Sequence, residues 1–159
     1  MNRRWSFYFG LFCTEHMLAQ SKPDFSGVWK LNTPESNFSD KRLAAPDRLV
    51  WTIRLANNHI IYNVDREWQG KTNKFDAEAD VGGGSFESDA AGIIRWQWKG
   101  SSLSVTTLYN PGNDREASME EIWTLLADGK KLTDEVVYHM PKKAKDPSDV
   151  HFTRVFDKQ

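Results

Sequence analysis

Cysteine is almost absent from this sequence of 159 residues, since Cys13 is the single example. One thiol cannot form an internal disulfide framework or a zinc site built from cysteine ligands. Beyond its first 20 residues, the chain also lacks any apolar run near the roughly 20 residues that a membrane-spanning helix needs. With 27% charged and 39% hydrophobic residues, the composition is typical of one globular domain rather than a disordered or membrane-spanning chain.

An excess of positive charge is missing as well. Lys and Arg together number 21 against 22 Asp and Glu, so the formal net charge is -1. Proteins dedicated to nucleic acids usually carry a basic excess or a basic stripe on one face. We therefore expect no nucleic-acid partner.

Motifs of catalysis and cofactor binding are scarce too. The sequence has no Gly-x-Ser-x-Gly elbow, and the glycines at 82–84 lack the Lys and Ser/Thr of a phosphate-binding loop. His139 and His151 could be neighbours on adjacent strands, but two imidazoles without a third ligand make a poor zinc site. We predict no catalytic residue, no metal and no cofactor, and the glycines at 82–84 are interpreted as a corner.

The first 20 residues have the layout of a secretory signal. A short basic region at 2–4 precedes an apolar run at 5–13, and Ala19 offers a cleavage site. This layout predicts export to the periplasm or the extracellular space. Glu15 and Met17 depart from the pattern, so the alternative is an N-terminal arm of a cytoplasmic protein. In either case residues 21–159 are predicted to form one domain.

What the chain does have is a repeated alternation of apolar and polar residues, which is typical of β-strands with one buried face. A turn at 57–58 places Trp51 opposite Val64 and Ile53 opposite Tyr62, so that apolar side chains meet on one face. Turns at 100–101 and 128–129 give the same result. The other predicted pairs are Leu55 with Ile60, Trp98 with Leu103, Trp96 with Val105, Ile94 with Thr107, Leu125 with Leu132, and Met119 with Tyr138.

The three hairpins predict an all-β, up-and-down antiparallel barrel of about ten strands, because closure of a meander removes its exposed edges. No amphipathic helix is expected, although residues 32–48 could hold one helical turn between Pro34 and Pro46. The predicted strands start near Gly27, Leu49, His59, Lys71, Ser85, Gly92, Ser102, Arg115, Lys131 and Asp149.

Two short motifs give this barrel a family resemblance. Gly27 and Trp29 form a Gly-x-Trp pattern that resembles the first strand of the lipocalins and fatty-acid-binding proteins. The final segment, 153–158, looks like the closing strand of the fatty-acid-binding proteins, in which an Arg and a Tyr two residues later reach into the cavity. Those positions are Arg154 and Phe156 here, so the hydroxyl is missing. The start of the first strand is also similar to that of small exported bacterial proteins of lipocalin-like type.

Three polar residues interrupt apolar strand faces and are the candidates for a polar anchor. Arg154 shares a face with apolar residues, and Glu121 and Asp134 do the same on two earlier strands. If Val136 faces Arg154, then Glu121 lies in the same row and Asp134 lies diagonally. Such an anchor would bind the head group of a ligand. The alternative is an Arg that closes one barrel end, packed on Trp29 and balanced by Asp134.

The resemblance implies a cavity for a small hydrophobic or amphipathic ligand, an acidic one included. In this hypothesis the barrel is lined by aromatic side chains at strand spacing. A first alternative is that these aromatic side chains fill the barrel, which would make the chain a structural or interaction protein. A second is a lipocalin-fold enzyme that uses Glu121 and Asp134 for acid–base chemistry. No feature of the sequence selects an oligomeric state. The aromatic candidates are Trp51, Tyr62, Trp96, Trp123, Tyr138 and Phe152.

Overall fold

Ten β-strands and one short 3-10 helix, Thr33–Glu35, make up the regular structure of the computed structural model, which describes residues 22–88 and 92–159. The predicted signal segment, residues 1–20, lies outside the described residues. Among those described, no helix has the length and apolarity to cross a membrane. The strands are β1 (Gly27–Leu31), β2 (Arg48–Ala56), β3 (His59–Trp68), β4 (Lys71–Asp80), β5 (Phe86–Ser88), β6 (Gly92–Lys99), β7 (Ser102–Tyr109), β8 (Ala117–Leu125), β9 (Lys131–His139) and β10 (Val150–Lys158).

The strands form one antiparallel sheet in the order β4-β3-β2-β1-β10-β9-β8-β7-β6-β5. Because β1 pairs with β10, the first and last strands lie side by side in the middle of the sheet. The sheet curls until its two ends meet, where the Gly82 amide donates a 2.7 Å hydrogen bond to the Trp96 carbonyl. The result is a nearly closed barrel, and the prediction of an all-β, up-and-down fold is confirmed.

The three predicted hairpins have the expected register. Trp51 pairs with Val64, and the other pairs named above are present across β6–β7 and β8–β9 as well as β2–β3. Asn57 and Asn58 both take positive φ, 51° and 61°, which is what a two-residue turn of this hand requires. The predicted strand starts are all within two residues of the observed ones.

The register predicted for β9 and β10 is wrong by two residues. Phe152, not Arg154, faces Val136, and Arg154 faces Asp134 directly. A slip of two residues leaves every side chain on the same face, so the alternation of apolar residues cannot detect it. The loop between these strands is long and does not fix the register either, in contrast to the tight turns of the three hairpins.

The core fills one half of the barrel. Trp29, Trp96 and Trp123 have no exposed surface there, and Phe25 and Phe156 pack among them. The Trp29 indole donates a 2.9 Å hydrogen bond to the Phe25 carbonyl, which satisfies its polar atom inside the core.

The cation that covers Trp29 is Lys158, whose Nζ lies 5.1 Å from the ring centroid. The alternative that placed Arg154 on Trp29 is therefore wrong. Trp29 pairs with Lys158 at the end of β10, and Arg154 lies four residues earlier on the same face, nearer the other end of the barrel.

The segment between β1 and β2 at first continues the pairing of β1 with β10, since the Asn32 amide donates to the Val155 carbonyl, and then turns toward the barrel mouth. Asn37 forms a two-way backbone bridge with Thr153, with N–O distances of 2.8 and 3.1 Å. The single 3-10 turn at Thr33–Glu35 agrees with the one helical turn expected here. Phe38 then stacks on Phe152 with 5.8 Å between ring centroids, which brings the segment to the edge of the inner space.

Gly92 lies where the backbones of β6 and β7 approach each other closely. Its φ is +77°, and a Cβ would lie 2.3 Å from the Leu108 carbonyl oxygen. We predict that Gly92→Ala lowers the free energy of unfolding by about 3 kcal/mol, because both the dihedral and the backbone contact must relax. Gly112 has a φ of +76° with open space around it, so Gly112→Ala should lose only about 1 kcal/mol. Urea unfolding of both variants measures the difference, and equal losses would contradict the steric argument.

Candidate ligand-binding cavity

The half of the barrel that the core does not fill encloses a cavity of about 400 Å³. Its wall comes from strands on both sides of the barrel and from the segment after β1, which adds Phe38, Leu43 and Pro46. The mouth lies near the β3–β4 turn, where the lining residue Trp68 is 42% exposed. Most of the wall is apolar or aromatic. The aromatic lining residues are Phe38, Trp51, Tyr62, Trp68, Phe75, Tyr109, Tyr138 and Phe152.

Trp51 divides the cavity from the filled core. The ring centroid of Trp51 lies 4.0 Å from that of Phe156 and 4.9 Å from that of Trp123, and both of these rings are on the core side. On the cavity side it meets Tyr62 edge-on at 5.4 Å. Tilted and edge-to-face contacts of this kind are favoured by the charge distribution of aromatic rings. Trp51 therefore forms part of a rigid cavity floor.

Arg154 lies at this floor and is held by two carboxyl groups. Its Nε donates a 2.6 Å hydrogen bond to Oδ2 of Asp134, and its Nη2 lies 2.5 Å from the same oxygen. Nη2 also donates to Oε1 of Glu121. The guanidinium carbon lies 5.0 Å from the ring centroid of Trp51 and 5.6 Å from that of Phe152, which adds cation–π attraction. We call Arg154, Asp134 and Glu121 the polar trio.

The three strands that carry the trio are neighbours in the sheet. Asp134 on β9 faces Arg154 on β10 and Trp123 on β8. Glu121 is one inward position further along β8, so it reaches Arg154 diagonally. Every second residue of a strand points into the barrel. All three polar residues occupy such inward positions, where most of the other side chains are apolar.

Burial dominates the charge state of the trio. The Asp134 side chain is 0% exposed and that of Glu121 is 4% exposed. Burial raises the pKa of Asp134 well above its ordinary value against the attraction of Arg154, and the Glu121 charge raises it further. Burial also raises the pKa of Glu121, although Arg154 opposes this shift. Two ionised carboxylates would leave the buried trio with one excess negative charge, and a proton held on Asp134 removes it.

Arg154 keeps its charge in this environment. Burial acts to lower the pKa of Arg154, but the Asp134 and Glu121 carboxylates more than offset that effect and its pKa lies above the ordinary value. The trio therefore contains one permanent cation that is already paired. A buried guanidinium without these partners would carry a large desolvation penalty.

Three tyrosines supply neutral polar groups around the trio. Burial, with a further contribution from Glu121, raises the pKa of Tyr62 and of Tyr109. Burial alone raises the pKa of Tyr138, and the Tyr109 and Tyr138 rings lie 6.1 Å apart. All three side chains line the cavity and remain protonated at neutral pH. They can donate or accept hydrogen bonds without adding charge.

The sequence-predicted candidates divide into two groups in space. Those that line the cavity are Arg154, Glu121, Trp51, Tyr62, Tyr138 and Phe152. Trp96 and Trp123 instead lie fully buried in the filled half, and Asp134 touches Arg154 from behind rather than lining the cavity. Gly27 and Trp29 lie at the opposite end, in β1. Alternation marks all of these positions as inward but does not say in which half of the barrel each one lies.

Sequence reasoning missed several lining residues. Val64 and Thr107 were predicted as inward hairpin partners but not as site residues, and Tyr109 occupies the next inward position of β7, so the same alternation could have placed all three at the site. Phe38 and Pro46 belong to an irregular segment, where no periodic signal exists. Within residues 22–88 and 92–159, no three His, Cys, Asp or Glu side chains cluster as metal ligands would.

Comparisons with known proteins bear on the fold. No protein-family model matches the sequence, and no curated protein matches it. Among solved structures, the chain is similar to the zebrafish ileal bile acid-binding protein complexed with cholic acid, with a TM-score of 0.56 and 13% sequence identity. The match covers 85% of this chain and 98% of that one. At this identity the likeness shows a shared fold, which agrees with the resemblance to the fatty-acid-binding proteins.

Removal of the cation should be far more damaging than removal of one carboxyl group. We predict that Arg154→Met lowers the free energy of unfolding by about 3–5 kcal/mol, because Glu121 loses its counter-charge and Asp134 loses its hydrogen-bond donors inside the barrel. Asp134→Asn should lose only about 1 kcal/mol, because an amide replaces a protonated carboxyl group of the same shape. Urea unfolding at neutral pH measures both losses. A larger loss for Asp134→Asn would show that Asp134 is ionised in the folded protein.

The same comparison has a predicted pH dependence. A carboxyl group whose pKa is raised on folding stabilises the protein fully at pH values below its unfolded pKa, and this stabilisation disappears as pH rises through the folded pKa. The stability of the wild type relative to Asp134→Asn should therefore fall as pH rises above the ordinary Asp pKa of about 4. Urea unfolding across this range measures the difference, and a rise with pH would contradict the raised pKa of Asp134.

Proposed function

We propose that this protein binds a small hydrophobic or amphipathic molecule inside the barrel. The observation that carries the proposal is the cavity of about 400 Å³, which has an apolar and aromatic wall and a polar trio at its floor. Ligand sites in proteins typically have volumes of about 300–1,000 Å³ and few polar groups among many apolar ones. The aromatic side chains fill only half of the barrel, so space for a ligand remains.

The affinity of such a site would come from the burial of apolar surface. Each Å² of apolar ligand surface removed from water contributes about 25 cal/mol, and this gain is offset by the lost freedom of the ligand. Trp51 and Tyr62 are already fixed by their packing, so they lose little entropy when a ligand contacts them. The polar end of the ligand would meet Arg154 and Glu121 at the floor.

The structural neighbour supports the proposal at the level of a class. It is a bile acid-binding protein complexed with cholic acid, and it shares the barrel architecture. Cholic acid combines a large apolar body with a few polar groups. A site with an apolar wall and a polar floor suits a molecule with the same division.

A single large side chain in the cavity should abolish binding without unfolding the barrel. Val64 lines the cavity and is 7% exposed, so the ring in Val64→Phe would occupy ligand space. We predict at least about a tenfold loss of affinity for the uncharged fluorescent probe N-phenyl-1-naphthylamine. Val28→Phe is the matched control, since Val28 is 40% exposed on the outside of β1, and it should bind as the wild type does. Circular dichroism checks that both variants fold, and equal probe binding by the two would refute the cavity as the site.

A further inference from the structure

We propose that the polar end of the ligand is uncharged, a hydroxyl or primary amide group, and that the polar trio discriminates against both carboxylates and ammonium groups. The inference rests on the proposed binding function. It concerns the cavity floor, where the charged side chains of Arg154 and Glu121 would touch the ligand.

Arg154 has little attraction left for an anion. Its Nε and Nη2 atoms both lie 2.5–2.6 Å from Oδ2 of Asp134. Nη2 also donates to Oε1 of Glu121. A ligand carboxylate at this floor would stand beside Glu121, which shares its sign. Like charges brought together at a desolvated site repel, and the charge of the Arg154 guanidinium is already matched by that of the Glu121 carboxylate.

An ammonium group meets the opposite obstacle. Glu121 would attract it, but the Arg154 guanidinium is hydrogen-bonded to that same carboxylate. The ligand cation would therefore be placed against a fixed cation, in a cavity whose wall is mostly apolar and aromatic. Neither a carboxylate nor an ammonium group gains enough attraction at this floor to offset the hydration that it loses.

An uncharged group that both donates and accepts fits the floor better. Nη1 is the nitrogen of Arg154 that is not used for Asp134 or Glu121, so it can donate into the cavity. Glu121 accepts from Arg154 through Oε1, and a carboxylate has further lone pairs that can accept from a ligand. A hydroxyl group can accept from the first and donate to the second.

Arg66 is the other cation that lines the cavity, and it does not change this conclusion. It lies at the mouth, where its guanidinium carbon is 5.8 Å from the ring centroid of the exposed Trp68. A carboxylate at the mouth would stay in contact with water, where an ion pair contributes little. Selection among ligands therefore takes place at the floor.

The test compares three ligands with the same chain: dodecanol, dodecanoate and dodecylammonium. Each is titrated at neutral pH against wild-type protein loaded with N-phenyl-1-naphthylamine, and displacement is followed by fluorescence. We expect dodecanol to bind at least about tenfold more tightly than either ion. Tighter or equal binding of dodecanoate or dodecylammonium would overturn the inference and leave the proposed function standing. Failure of the probe itself to bind would overturn both.

A pair of variants shows whether the trio causes the preference, since an alcohol is also intrinsically less soluble in water than an ion. Glu121→Gln removes the carboxylate that opposes an anion, so the preference for dodecanol over dodecanoate should fall about tenfold. Glu120→Gln changes the net charge equally but lies outside the cavity, with its side chain 64% exposed, and it should keep the wild-type preference. An unchanged preference in Glu121→Gln would overturn the role of the trio.

Discussion

A guanidinium almost removed from water must keep its counter-charges, and the arrangement around Arg154 follows from this requirement. Asp134 and Glu121 bind it from two neighbouring strands, so β8, β9 and β10 are held in one register. Its guanidinium carbon also lies 5.0 Å from the ring centroid of Trp51 on β2, which is separated from β10 in the sheet by β1. The ion cluster therefore adds side-chain contacts to the backbone pairing of β8, β9 and β10, and a buried charge is strongly destabilising when a partner is lost.

The position of the cluster also separates the two halves of the barrel. On one side Trp29 and Trp123 pack with no exposed surface, and on the other the wall encloses empty space. An apolar cavity lowers stability, because its lining residues lack contacts that a filled core would supply. The filled half and the ladder of ten strands compensate for that loss. The cavity therefore reduces the packing contacts of the barrel, and ligand binding is the function that such a cavity supports.

Much of the strand order was predictable from local patterns. In the hairpin joined by Asn57 and Asn58, the turn and the apolar face require the same register, so two independent constraints agree. The pairing of Arg154 was not predictable in the same way. A slip of two residues between β9 and β10 preserves the alternation, and the long loop between them leaves the choice to contacts across the barrel.

The alternation of apolar and polar residues is sufficient to show which side chains point inward, because the period of a β-strand is two and its tight turns fix the register. It did not determine whether an inward residue fills the core or lines the cavity. Trp51 and Trp123 follow the same pattern, yet one forms the cavity floor and the other is sealed beneath it. That distinction depends on how far along the barrel axis each inward residue lies. It also depends on the irregular segment that brings Phe38 to the cavity wall. Only the closed tertiary structure sets these distances, since they join residues remote in the chain.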